Sequence, residues 1–197
     1  MQKNYDPAVN NGRKEQEKFK PEIDTLIPYY LKGEMEKNAF NLVAYLRESG
    51  LPLKWYGRNA WKAKCKGKPI CSIFICFPGD VAYFGRPGSS PFWIVSLTLE
   101  HVNEYEELII DEGLQSIFWD NVFYCVWSPK SGKTGEKRGC ASGKACAGGR
   151  NVLLIGKEIK GLCRWRPLTP GIWDPDKMTI DIIRKLLNWE QQARSKV

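Results

Sequence analysis

The chain contains a single histidine, His101, among its 197 residues. Metal centres built from several imidazoles and relays of several acid–base histidines are therefore excluded. Long apolar runs are missing as well: the longest, Ile70–Phe77, has eight residues, whereas a membrane-spanning helix needs about 20. The N-terminal region has no apolar core, so we expect neither a signal peptide nor a membrane span, and we expect a cytoplasmic protein.

Closely spaced cysteine pairs are absent from the second half of the chain. Seven cysteines without a secretion signal favour free or metal-bound thiols over disulfides. Zinc sites usually contain a pair such as C-x2-C, whereas the closest pair here has five intervening residues. This spacing permits a tetrathiolate zinc site, and the alternative is a set of small buried and loop thiols. The candidate zinc ligands are Cys125, Cys140, Cys146 and Cys163.

Positive charge is absent from residues 87–129, which hold seven acidic residues and no lysine or arginine. Residues 128–168 then carry ten basic residues, two glutamates and eight of the 18 glycines. The net charge of this segment equals the +8 of the whole chain, and the pI is about 9.1. Such a balance favours acidic partners, among them nucleic acid and phosphorylated ligands.

The glycine-rich, basic loop 128–150 lies between two predicted strands. Ser131–Thr134 imitates the end of a phosphate-binding loop, but Trp127 stands where that motif needs glycine and no helix follows. Backbone N–H groups of such a loop could still bind an anion beside its basic side chains. The candidate anion-binding residues are Lys133, Lys137, Arg138, Lys144 and Arg150.

A second basic segment, Lys54–Lys68, has six basic residues, three aromatic residues and no acidic residue. If it forms a strand, its alternate lysines project to one side, beside aromatic rings on which bases could stack. Those lysines are Lys62, Lys64, Lys66 and Lys68. The alternative, which we favour from the sequence, is that lysines protect an exposed edge strand against pairing.

Hydrophobic periodicity predicts an α+β protein with a mainly antiparallel, twisted sheet and helices packed on one face. Helices are expected at Glu34–Ser49, Glu100–Ile110 and Leu114–Trp119, with an acidic stripe along the second. A last helix opens at Asp174-Pro175 with Asp174 as its cap. Its inward-facing residues are predicted to be Met178, Ile182, Leu186 and Trp189. The predicted strands cover 61–66, 70–77, 81–84, 92–99, 121–127 and 151–159.

The domain organisation is predicted to be simple. Residues 1–33 form an N-terminal arm and short helices, with the first 20 residues loosely held. Residues 34–197 form a single domain that includes the loop 128–150.

Tryptophan and tyrosine recur on the predicted strands. Core packing is the default explanation, but rings with polar edges also fit a site for a small planar or anionic ligand. The candidate ligand-binding residues are Trp55, Tyr56, Trp61, Trp93, Trp119 and Trp127.

The helix from Glu34, the stretch Leu51-Pro-Leu-Lys-Trp-Tyr-Gly57 and the lysine-rich hairpin resemble the small YdhG-like α+β domain, largely of unknown function. The later block, with Cys140, Cys146, Ile155-Gly-Lys-Glu158 and Cys163, is similar to a group of uncharacterised Firmicutes proteins. This resemblance implies a compact bacterial cytoplasmic protein and brings no catalytic residues.

Three functions follow from these features. The first is a non-enzymatic cytoplasmic protein that binds a small ligand at an aromatic sheet face. The alternative is a nucleic-acid-binding protein that uses the basic segments 54–68 and 130–166. The third is an enzyme in which Cys140 or Cys146 is a nucleophile activated by nearby lysines.

Overall fold

The computed structural model describes residues 5–10, 12–76, 91–122, 124–125, 149–163 and 170–196. They belong to two compact units. Met1–His101 with Ile172–Val197 forms the first unit, and Val102–Gly171 forms the second. The expectation of one domain over residues 34–197 stays a prediction.

An antiparallel sheet of five strands forms the centre of the first unit. Helices pack on one face of this sheet. The predicted α+β class is therefore confirmed. In the order in which they lie side by side, the strands are β1 (Lys54–Gly57), β2 (Ala60–Cys65), β3 (Lys68–Cys76), β4 (Phe92–Leu97) and β7 (Gly171–Trp173).

Two-residue turns join the first three strands. Arg58-Asn59 connects β1 to β2, and Lys66-Gly67 connects β2 to β3. Lys66 and Gly67 have φ of +49° and +80°, and positive φ at both central residues is what a type I′ hairpin turn requires. Glycine at the second position adopts this conformation without steric cost.

The two faces of the sheet differ because successive strand residues point in opposite directions. On the helix-covered face, Trp61, Ile73 and Val95 lie side by side on β2, β3 and β4 and are buried. On the outer face, one position along each strand, lie Lys62, Ser72 and Ser96.

Among the described residues of the first unit, the helices are α1 (Arg13–Phe19), α2 (Ile23–Tyr30), α3 (Glu34–Glu48) and α6 (Lys177–Ser195). Helix α3 ends as the sequence predicts. Gly50 has φ of +71°, and the N–H groups of Gly50 and Leu51 donate to the carbonyls of Arg47 and Leu46. This pair of hydrogen bonds is a Schellman motif, which satisfies carbonyls that the helix end leaves unpaired.

Helix α6 begins later than predicted. The cap is Asp176 and not Asp174, because the Asp176 carboxylate accepts a hydrogen bond from Thr179 N at 2.8 Å. Asp174 instead has φ of +41° and pairs with the backbone of Trp93. Of the predicted inward-facing residues, Leu186 is buried, Ile182 and Trp189 are half-buried, and the prediction is wrong at Met178, which is 71% exposed. The residues of α6 that are buried are Ile180, Ile183, Leu186, Leu187, Glu190, Ala193 and Arg194.

In its described part, the second unit combines a 3-10 helix, two short helices and a hairpin. These are the 3-10 helix Val102–Glu104, α4 (Glu106–Asp111), α5 (Gln115–Asp120), β5 (Arg150–Leu154) and β6 (Lys157–Leu162). Strands β5 and β6 pair in antiparallel fashion, and the backbone of Tyr124 bridges to Leu162.

Two predictions in this region are wrong. The expected helix Glu100–Ile110 is interrupted at buried Tyr105, whose φ and ψ of −132° and 23° are not helical, so the acidic residues do not form one helical stripe. The expected strand 151–159 is a hairpin that turns at Ile155-Gly156, where φ is +48° and +72°.

The predicted strand 81–84 lies outside the described residues, as do Phe123 and 126–127 of the predicted strand 121–127. None of the helices in the described part of the chain combines the length and apolar character that crossing a bilayer requires.

Candidate functional site

The outer face of the sheet is basic where β1 meets β2. Lys54 lies opposite Lys62 in the ladder, and Lys64 follows two residues later on β2. Lys54 and Lys64 are exposed and Lys62 is half-buried. Among the described residues, none of the three forms an ion pair. We call Lys54, Tyr56, Lys62 and Lys64 the basic face.

Tyr56 lies in the middle of the basic face. The register of β1 and β2 shifts between Trp55 and Gly57, which leaves Tyr56 as a bulge residue that faces outward and is 41% exposed. Lys62 Nζ lies 4.1 Å from the centre of its ring, and the Phe74 ring approaches edge-on at 6.1 Å. A ring held in this way beside cationic side chains is suited to stacking.

None of the five described strands of this sheet contains an acidic residue, so no carboxylate on these strands balances the positive charge of the basic face. Beyond Lys62, this face of the sheet continues with the small polar residues Ser72, which is buried, and Ser96, which is half-buried. Its far end is apolar, where Cys76, Phe92 and Ile94 form a buried cluster. The basic face therefore occupies the β1–β2 side of the sheet.

The predicted lysine ladder is correct only in part. Lys62 and Lys64 share the outer face of β2, but Lys66 lies in the turn and Lys68 on β3. Lys68 pairs with Glu100 at 3.1 Å. The favoured explanation, protection of an edge strand, is wrong for the β2 lysines, because β2 is hydrogen-bonded to strands on both sides.

The side-chain amide of a buried glutamine holds the β1–β2 turn from the helix-covered side of the sheet. Gln16 of α1 is fully buried, and its Nε2 donates to Asn59 Oδ1 at 2.6 Å. Its Oε1 accepts from Asn59 N at 2.8 Å and from Trp55 Nε1 at 3.3 Å. The expectation of a loosely held arm over the first 20 residues is therefore wrong at Gln16, and no apolar pattern in the sequence marks this position.

An ion pair holds the β2–β3 turn. Arg194 of α6 donates from Nε to Glu190 at 2.7 Å, and its guanidinium also reaches the carbonyls of Pro69 at 3.0 Å and Lys68 at 3.4 Å. Glu190 accepts from the backbone N–H groups of Glu100 and His101. Both charged side chains are almost fully buried. The sequence does not predict this burial, because charged residues on a helix are normally exposed to solvent.

The predicted aromatic residues do not share one face. Trp55, Trp61 and Trp93 all point to the helix-covered face, since Trp55 pairs with Trp61 and Trp93 pairs with buried Ile75. Trp61 and Trp93 are fully buried, and Trp61 Nε1 donates to the carbonyl of Pro21. Tyr56 alone of the residues predicted in this unit faces outward.

The other two predicted aromatic residues are elsewhere in the chain. Trp119 is in the second unit, where its Nε1 donates to the Leu154 carbonyl and Lys157 Nζ lies 4.6 Å from its ring centre. Trp127 lies outside the described residues.

The predicted zinc ligands are described only in part. Cys125 is buried and Cys163 half-buried, both as free thiols, while Cys140 and Cys146 lie outside the described residues. Within the ranges that are described, no three cysteine, histidine or acidic side chains are grouped to hold a metal ion. The four-cysteine zinc site and the loop-cysteine nucleophile therefore stay predictions.

The predicted anion-binding loop is also described only in part, and anion binding by it stays a prediction. Of its residues, Arg150 is described, half-buried at the start of β5. Lys133, Lys137, Arg138 and Lys144 lie outside the described residues.

No family model, curated protein or solved structure matches this chain. The resemblance to the YdhG-like domain stays a prediction. The described side chains supply the basic face and the two buried polar clusters behind it.

Proposed function

We propose that the protein binds single-stranded nucleic acid on the basic face. The observation that carries this proposal is the outward-facing Tyr56 among three lysines, on a sheet whose strands contain no acidic residue. Lysines attract the phosphate backbone, and an exposed aromatic ring accepts a stacked base of any sequence. We also propose a cytoplasmic location, which the free thiols of the described cysteines support.

The spacing of the side chains supports an extended strand as ligand. Residues two apart on a β-strand are separated by about 6.7 Å, so Lys62 and Lys64 present charges in a row along β2. Lys54 adds a third charge directly across from Lys62. In this arrangement a base stacks on Tyr56 while the flanking phosphates contact the lysines on either side.

A small planar ligand is less well supported by the described residues. Such a site needs several of the predicted aromatic rings to converge. Trp61 and Trp93 are instead buried beneath the helices, and Trp55 shares their face of the sheet. Of the predicted aromatic residues, the sheet therefore presents one, Tyr56, on its outer face, where it lies among lysine side chains.

Charge-removing variants test the proposal by fluorescence anisotropy with a labelled oligothymidylate of about 15 nucleotides. Binding should weaken steeply between about 50 mM and 200 mM salt. Lys62→Gln or Lys64→Gln should lower the slope of log K against log salt by roughly 0.7, the value of one phosphate contact on a single strand.

Lys177→Gln is the matched control, because Lys177 is exposed on α6 and carries the same charge. Its salt slope should equal that of the wild type. Absence of binding at low salt, or equal slopes in all four proteins, would refute nucleic-acid binding on this face.

A further inference from the structure

The hairpin that carries the basic face has few constraints of its own. Strand β1 is at the edge of the sheet, has four residues and is interrupted by the bulge at Tyr56. A short edge strand paired on one side is weakly held, and a bulge further disrupts its ladder. The orientation of Tyr56 therefore depends on contacts outside the β1–β2 ladder.

Gln16 supplies those contacts on both sides of Tyr56. It binds Trp55, the residue before Tyr56, and it binds the turn residue Asn59 through both its main chain and its side chain. Asn59 has φ of +49°, and its carbonyl accepts from Ile75 N at 2.9 Å. One buried side chain thus connects α1 to the edge strand, to the turn and, through Asn59, to β3.

We infer that Gln16 is a positioning residue for the basic face: it fixes the β1–β2 hairpin so that Tyr56 and Lys62 are preorganised for the nucleic-acid strand. This inference rests on the proposed function. Preorganisation lowers the entropic cost of binding. Loss of Gln16 should therefore weaken binding although Gln16 lies on the other side of the sheet from the ligand.

The test uses Gln16→Leu, which keeps the size of the side chain and removes its hydrogen bonds. Gln192→Leu makes the same chemical change at an exposed position of α6. Ile183→Val, in the buried stripe of α6, supplies a general loss of stability from a residue outside the hairpin sequence. Each protein is measured for oligothymidylate affinity, for melting temperature and for hydrogen exchange of peptides that cover residues 54–65.

We expect Gln16→Leu to exchange its hairpin amides faster and to bind about ten-fold more weakly. Gln192→Leu should match the wild type in all three measurements. Ile183→Val should lower the melting temperature while it leaves affinity and hairpin exchange unchanged, which separates positioning from stability.

Three outcomes overturn the inference. If the hairpin amides of Gln16→Leu exchange as slowly as those of the wild type, Gln16 does not hold the hairpin, and the inference fails whatever the wild type binds. Faster exchange with unchanged affinity shows that the contact does not serve the basic face. A wild type that fails to bind the oligothymidylate refutes the proposed function, and with it the positioning role, even where the exchange data show that Gln16 holds the hairpin.

Discussion

Arg194 and Glu190 place opposite charges in the interior of the first unit, 4% and 0% exposed. Taking charges out of water is costly, and a buried pair persists only where hydrogen bonds satisfy both partners. Arg194 reaches backbone carbonyls at the β2–β3 turn and that of Thr98, while Glu190 accepts from two backbone N–H groups. The pair therefore joins the end of α6 to the hairpin behind the basic face.

Arg194→Met should leave the Glu190 charge buried without its partner. The free energy of unfolding, measured by urea denaturation near neutral pH, should fall by about 3–5 kcal/mol. Lys196→Met removes an exposed charge from the same helix end and should change it by less than about 0.5 kcal/mol. A loss below about 1 kcal/mol for Arg194→Met would contradict the structural role of this pair.

The residues that sequence reasoning missed are polar residues at buried positions. Gln16, Glu190 and Arg194 are read from the sequence as exposed, because polar side chains on amphipathic helices normally face water. Their partners are backbone groups and side chains far along the chain, such as Asn59 for Gln16. No local pattern carries that information, so these clusters could be found only from the fold.

Asp176 caps helix α6, the longest of the described helices. Hydrogen bonds from the Thr179 side chain and backbone hold the pKa of the Asp176 carboxyl below its ordinary value. Because the folded state prefers the ionised carboxylate, the contribution to stability is present above the unfolded pKa, near 3.8. It is lost as the pH falls through the lower folded pKa.

Asp176→Ala should therefore lower the free energy of unfolding by about 1 kcal/mol at neutral pH. The difference from the wild type should shrink as the pH falls below 3.8. Asp176→Asn keeps a capping side chain without a charge, so it should remain close to the wild type at neutral pH. A deficit of Asp176→Ala that is constant from neutral to acid pH would be inconsistent with an ionised cap.

The elements that could be predicted are those whose buried face and end are both marked by residues within the element or next to it. Helix α3 has a buried stripe and a glycine at its end, and both predicted features are present. The expected helix Glu100–Ile110 is wrong because the backbone of Tyr105 is not helical, and no residue in the acidic stripe marks that interruption. The strand expected at 151–159 fails because Ile155-Gly156 is a turn that the apolar run conceals.

At the scale of the whole molecule, the basic face depends on strand register. The sequence alone marks residues 54–68 as basic and aromatic, and that much could be predicted. Alternation along a strand predicts that Trp61 and Lys62 lie on opposite faces. The sequence does not show that Tyr56 lies beside Lys62, because that contact depends on the pairing of β1 with β2 and on the bulge between Trp55 and Gly57. The face thus follows from pairings between strands and from the helices that cover the opposite side.

The segment 128–168 carries the net charge of the chain, and much of it lies outside the described residues. It is therefore the main competitor of the basic face for a nucleic-acid strand. A base bound at the basic face and a base bound at residues 128–168 would contact different parts of the chain. Mapping the contact of the bound base therefore distinguishes the two sites directly.

Ultraviolet cross-linking of bound oligothymidylate, followed by mass spectrometry of the linked peptides, provides this map. The proposed function predicts cross-links within residues 54–64, centred on Tyr56 and greatly reduced in Tyr56→Ala. Cross-links confined to residues 128–168, and unchanged in Tyr56→Ala, would contradict the assignment of the binding site to the basic face.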